Sequence, residues 1–90
     1  NSIIIEKDIF NNLNFKTFKK KFDIIFMDPP YKEKSLLILL TKINESRILN
    51  EKGIIIIHRH KKEKEALPIK FNIIEEKIYG ISKIIFGNYF

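Results

Sequence analysis

Phe22-Asp23-Ile24-Ile25-Phe26-Met27-Asp28-Pro29-Pro30-Tyr31 is an apolar run of strand-forming residues that stops at an acid, two prolines and an aromatic ring. Such a run reads as a buried strand that delivers a polar tip at its carboxyl end. Successive prolines fix φ at about −65° and donate no hydrogen bond, so the backbone beyond Met27 can neither extend a sheet ladder nor begin a free helix. The tip is therefore stiff. Asp28 adds a carboxylate and Pro29 keeps its carbonyl, which together make an acceptor-only cluster suited to an amino group with two hydrogens. Tyr31 offers a flat π-face beside them, as holding a planar base requires. Asp28, Pro29, Pro30 and Tyr31 are the candidate catalytic residues, read as a pocket for an aromatic amine.

Working outward, Lys32 to Ser35 is a polar loop, and Leu36, Leu39, Leu40 and Ile43 then recur at helical spacing, with Leu37 and Ile38 widening the apolar face. Asn44 to Lys52 is polar apart from Ile48 and Leu49, and Gly53 predicts a break before a second apolar strand, Ile54 to Ile57. Strand, helix, strand at this spacing predicts a right-handed parallel crossover and hence the α/β class. Ligands of such open sheets sit beyond the carboxyl ends of the strands, where Asp28 to Tyr31 would emerge. Upstream, Ser2 to Ile5 predicts a further strand, and Asp8 has the residue type of an N-cap for a short helix over Ile9 to Leu13. Downstream, Glu63 to Lys70 is a loop or short helix broken by Pro68. Phe71 to Ile78 and Ile81 to Tyr89 then read as a hairpin turning at Tyr79-Gly80. Tyr79 and most of the eight phenylalanines are expected to pack in the core.

Ninety residues make at most one small domain. The absence of cysteine excludes a disulfide framework and a thiolate metal site and suits a reducing cytoplasm. His58 and His60 lack a third ligand at a recognised spacing, so no metal is expected, and His58 to Lys62 reads as a polar strand end in a basic loop. No apolar run approaches the roughly 18 residues of a membrane span, and a soluble, cytoplasmic protein is the expectation. Seventeen Lys and Arg against eleven Asp and Glu give a formal charge of +6, densest at Lys19-Lys20-Lys21 and from His58 to Lys64. That excess favours a polyanion such as RNA or DNA, although a lysine-rich solvated surface has the same composition.

Asp28-Pro29-Pro30-Tyr31 after an apolar strand resembles the catalytic motif of the amino-methyltransferases, which use S-adenosylmethionine to methylate exocyclic amines of bases or an amide nitrogen. The longer pattern is more selective. The strand with its tip, a leucine-rich helix, Leu49 and Gly53 leading into Ile54 to Ile57, and Tyr79-Gly80 in a late hairpin are similar to the carboxyl-terminal half of the RsmD-type 16S rRNA guanine-N2 methyltransferases. The resemblance implies a partial Rossmann-like methyltransferase fold over residues 1–90, a mostly parallel sheet that ends in an antiparallel hairpin. It also implies a ribosomal RNA or small-subunit substrate, methylated at guanine N2. By the same resemblance Asp8 would accept a hydrogen bond from the adenine amino group of S-adenosylmethionine, and Ile9 would line the adenine pocket. Relatives often carry a glutamate at the end of the second apolar strand, where this chain has His58.

The only glycines are Gly53, Gly80 and Gly87, so no glycine-rich turn cradles the methionine part of the cofactor, nor is there an acidic strand end for its ribose. In the family both lie upstream, on two strands that run between the Ile3 to Ile5 strand and the central one. A gap is therefore expected in the sheet, and a start at Asn1 fits a fragment that lacks the amino-terminal half of its domain. Alone, such a fragment would bind the cofactor poorly and have little activity. The chemistry also suits a DNA adenine or cytosine methyltransferase or a protein glutamine methyltransferase. A non-catalytic basic RNA-binding module that keeps the tetrapeptide only as a stiff turn is the remaining reading.

Overall fold

The computed structural model describes residues 2–5, 21–28, 35–64 and 66–90. Strands β1 (Ser2–Ile5), β2 (Phe22–Met27), β3 (Leu49–His60), β4 (Asn72–Tyr79) and β5 (Ser82–Asn88) and helix α1 (Ser35–Ser46) follow the chain in the order β1, β2, α1, β3, β4, β5. The strands form a sheet ordered β1-β2-β3-β5-β4, in which β1, β2 and β3 run parallel and β5 pairs antiparallel with both β3 and β4. The α/β class, the parallel β2-α1-β3 unit and the closing hairpin match the sequence reading.

Along the parallel strands the side chains alternate between two faces. One face carries Ile5, Ile25, Met27, Ile55, Ile57 and Ile85, which form a single buried cluster with Leu36, Leu39, Leu40 and Ile43 of α1. The helix therefore lies on this face, presenting its i, i+3, i+4, i+7 stripe. Ile38 keeps 47% of its surface exposed, so the stripe is narrower than the apolar run predicts. The opposite face carries Ile4, Ile24, Phe26, Ile54, Ile56, Ile84 and Phe86, all exposed or half-buried, and no described helix covers it.

Five expectations need correction. The predicted gap is absent: β1 pairs directly with β2, from Ser2 opposite Ile24 to Ile5 opposite Met27. A strand left alone would expose a row of unpaired amides and carbonyls, and pairing with the free edge of β2 satisfies one side of that row. Secondly, Gly53 does not precede β3 but lies inside it, because the strand begins at Leu49. The register jumps from Phe22 opposite Leu49 to Ile24 opposite Ile54, and the extra β3 residues are absorbed where Lys52 adopts φ 68°. The backbone folds so closely there that a Cβ on Gly53 would sit 2.6 Å from Leu49 Cδ1.

Thirdly, β3 does not stop at His58 but runs through His60, so Arg59 and His60 are strand residues rather than part of a basic loop. Arg59 falls on the α1 face and is buried, with Nε 3.1 Å from Glu63 Oε2. Fourthly, Tyr79 is 59% exposed at the tip of β4, an edge strand exposed along its whole length, and packs in no core. Lastly, among the described phenylalanines Phe71 is buried and Phe22 packs against the core, while Phe26 and Phe86 are half-buried on the open face and Phe90 is exposed; Phe10, Phe15 and Phe18 lie outside the described residues. Pro68 to Lys70 form no helix, Gly80 turns the hairpin with φ 57°, and the helix expected over Ile9 to Leu13 lies outside the described residues.

Candidate active site

Strand alternation decides which side chains reach the carboxyl end of the sheet on which face. Ile25 and Met27 point into the core, so Asp28, the next residue, falls on the open face. Its backbone N–H donates to the carbonyl of Ile5 at 3.1 Å, which extends the β1–β2 ladder by one rung and fixes the base of the side chain. The carboxylate is left 39% exposed, within reach of both solvent and a ligand.

The same alternation on β3 puts Ile57 in the core and His58 on the open face, beside Asp28. His58 Nδ1 lies 3.4 Å from Asp28 Oδ1. On the other side of the ring, His58 Nε2 lies 3.0 Å from the hydroxyl oxygen of Ser82 at the start of β5. The β3–β5 register explains that contact: Ser82 stands opposite His60, two residues along from His58 and on the same face. Three strands thus bring an acid, an imidazole and a hydroxyl together at one sheet edge. Asp28 is legible in the sequence as a site residue, whereas Ser82 is not. His58 is visible at a strand end, but its partners depend on a pairing register that no local signal discloses.

Pro29, Pro30 and Tyr31 of the expected catalytic motif, and Asp8 and Ile9 of the expected cofactor pocket, lie outside the described residues. The three glycines are committed to backbone geometry: Gly53 and Gly87 to close approaches and Gly80 to the hairpin turn. Among the described residues no cradle for the methionine part of S-adenosylmethionine is built, and no group of acids and histidines could hold a metal ion. What these residues do build is an exposed carboxylate, held at its backbone and close to an imidazole at one oxygen, at the carboxyl end of a parallel strand, where ligands of open sheets sit.

Comparison with known proteins places the chain in a family. The family model described as "Conserved hypothetical protein 95" matches residues 2–88. "Putative rRNA methyltransferase YlbH" of Bacillus subtilis is 51% identical over 62 residues, covering 67% of this chain and 33% of that protein. A conserved hypothetical protein of Streptococcus pyogenes superposes with a TM-score of 0.68 at 28% identity, over 81% of this chain and 46% of the other. The "putative methylase HI0767" of Haemophilus influenzae shares the fold with a TM-score of 0.63 at 21% identity, over 83% and 48%. The chain spans about a third of the length of the curated relatives it matches. With the family model matching from β1 to the end of β5, and with the motif's acid at the end of β2, this chain belongs to the RsmD-like methyltransferase family.

Proposed function

We propose that residues 1–90 are the carboxyl-terminal part of a cytoplasmic methyltransferase domain and form the target-base half of its site. The observation that carries this reading is Asp28: a half-exposed carboxylate at the carboxyl end of β2, tied through its amide to Ile5 and flanked by His58. In the reaction we propose, the exocyclic amine of a base, guanine N2 in 16S rRNA, donates its hydrogens to Asp28 and to the Pro29 carbonyl while Tyr31 stacks on the ring. An amine lone pair is ordinarily delocalised into the base. Holding both hydrogens in acceptors favours the pyramidal nitrogen that attacks, and the carboxylate stabilises the charge that develops there. Asp28 need not be a strong base, because the amine becomes acidic only as it is methylated.

S-adenosylmethionine supplies an electrophilic methyl group when bound. Asp8 and Ile9 are proposed to meet its adenine, with the rest of the cofactor held by the missing amino-terminal half. A relative named as an rRNA methyltransferase supports ribosomal RNA or the small subunit as substrate over DNA, and the +6 charge supports a nucleic acid over a protein amide. In the complete protein, Asp28→Ala should abolish methyl transfer while the fold is retained. Methyl transfer to ribosomal RNA or assembled small subunits should exceed that to naked DNA. Retained turnover in the Asp28 variant, or a preference for DNA, would overturn the respective part of the proposal.

A further inference from the structure

We infer that His58 is a positioning residue for this transfer: its imidazole, anchored by Ser82, holds one oxygen of Asp28 and leaves the other aimed at the target amine. The inference rests on the methyltransferase reading above and adds to it a residue that the tetrapeptide does not contain.

The ring is held at both nitrogens, from two different strands. Nδ1 is 3.4 Å from Asp28 Oδ1 just beyond β2, and Nε2 is 3.0 Å from Ser82 Oγ on β5. One neutral tautomer serves both contacts. A proton on Nδ1 faces the carboxylate, and the lone pair on Nε2 accepts from the hydroxyl of Ser82. A hydroxyl can turn to donate, whereas a carboxylate can only accept, so the two partners select that tautomer together. A histidine with a single partner could swing about χ1 and χ2, but one gripped at both ends cannot. The Asp28 contact is long for a hydrogen bond, as catalytic contacts often are before substrate closes the site.

The consequence is geometric. With Oδ1 engaged by the imidazole, Oδ2 is the oxygen left to accept from the amine. During transfer the nitrogen lone pair becomes the new N–CH3 bond, the bond from methyl to the sulfonium sulfur breaks with its electrons going to sulfur, and the nitrogen sheds one proton. Asp28 receives that proton and passes it to water, to which its carboxylate is exposed. A neutral imidazole orients the carboxylate without placing a full positive charge against it.

The test is steady-state kinetics of the complete methyltransferase with His58→Ala, His58→Asn, Ser82→Ala and Asp28→Asn, each checked for folding by circular dichroism. His58→Ala should lower kcat on the order of 10-fold or more with little change in KM, since small misplacements of a reacting group cost up to ~10²-fold. His58→Asn keeps a donor near the position of Nδ1–H and should recover most of that loss. Ser82→Ala should show a smaller loss in kcat alone. Wild-type turnover in His58→Ala, or equal losses in the Ala and Asn variants, would each overturn the inference. Asp28→Asn separates the two proposals. If it turns over like the wild type, the methyltransferase reading of the tip fails, and if it alone is inactive while His58→Ala is unimpaired, only the role of His58 fails.

Discussion

On the face of the sheet covered by α1, Ile25, Met27, Ile55 and Ile57 have no exposed surface, whereas on the opposite face Ile24 keeps 44% and Ile4 59% of theirs exposed. The residue types are the same, and they alternate along the same strands. The difference comes from what is laid on each face: a helix on one, and nothing among the described residues on the other. Parallel strands are ordinarily covered on both sides, so the open face has the composition of an interior without its cover. Asp28, His58 and Ser82 all lie at the carboxyl edge of that open face. The covered face holds the fold together, and the open face carries the groups that can do chemistry.

The division can be broken at its chemical end first. Asp28→Asn changes neither volume nor the covered core, yet methyl transfer by the complete protein should fall on the order of 10²-fold or more, the scale at which a positioned acid–base group acts. Comparable losses from open-face changes remote from Asp28, such as Ile4→Ala, would mean that the site is not localised at the strand ends. The structural end is tested by paired truncations followed by urea unfolding of this chain. Ile57→Ala empties a fully buried position beneath α1 and should cost about 2–5 kcal/mol. Ile24→Ala on the open face should cost less than about 1 kcal/mol. Should the two costs converge, the faces do not differ in energy as they do in exposure.

Much of this arrangement is legible in the order of residues alone. The apolar runs, the stop of the central run at Asp28 and the helical recurrence of Leu36, Leu39, Leu40 and Ile43 are local signals, and each maps onto an element of the fold or its end. What escapes such a reading depends on contacts distant in sequence. The direct pairing of β1 with β2 reflects the edge available to β1, which its own residues do not specify. Gly53 looks like a strand breaker in one dimension, and only the close approach of Leu49 shows why a glycine is needed inside β3. Ser82 is an unremarked hairpin residue until the β3–β5 register sets it beside His58. The exposure of Tyr79 follows from its place on an edge strand, which aromatic character alone does not reveal.

A smaller test concerns how tightly the covered face is closed at the far end of the hairpin. Gly87 lies against the ring of Phe71, and a Cβ there would fall 2.3 Å from Phe71 Cζ and 2.7 Å from the carbonyl oxygen of Asn72. The ring also meets Tyr89 edge to face, with centroids 5.5 Å apart, so it has little room to retreat. Gly87→Ala should destabilise the chain by about 1–3 kcal/mol, as overpacking does, with a lowered urea midpoint as the readout. An unchanged midpoint would show that this corner of the covered face is loosely packed.

The smallest expected effect belongs to Tyr89, whose hydroxyl donates to the carbonyl of Leu40 at 2.7 Å and ties the end of β5 to α1. Burial pushes its phenol up to about 12, because the phenolate would be desolvated. In the unfolded chain a tyrosine ionises at about 10. Between those values the unfolded chain releases its proton while the folded chain retains it, and ionisation then favours the unfolded state. The stability due to this group is therefore fully present below about pH 10 and is lost as the pH rises toward 12. Tyr89→Phe removes the hydrogen bond and the titration together. At neutral pH it should cost about 1 kcal/mol, and that deficit should shrink as the pH is raised through this range, because only the wild type is penalised there. Tyr31 and Tyr79 are common to both proteins, so their contributions cancel in the difference. A deficit that stays constant with pH would mean that the phenol is not held neutral against α1, and that the covered face closes on Leu40 without it.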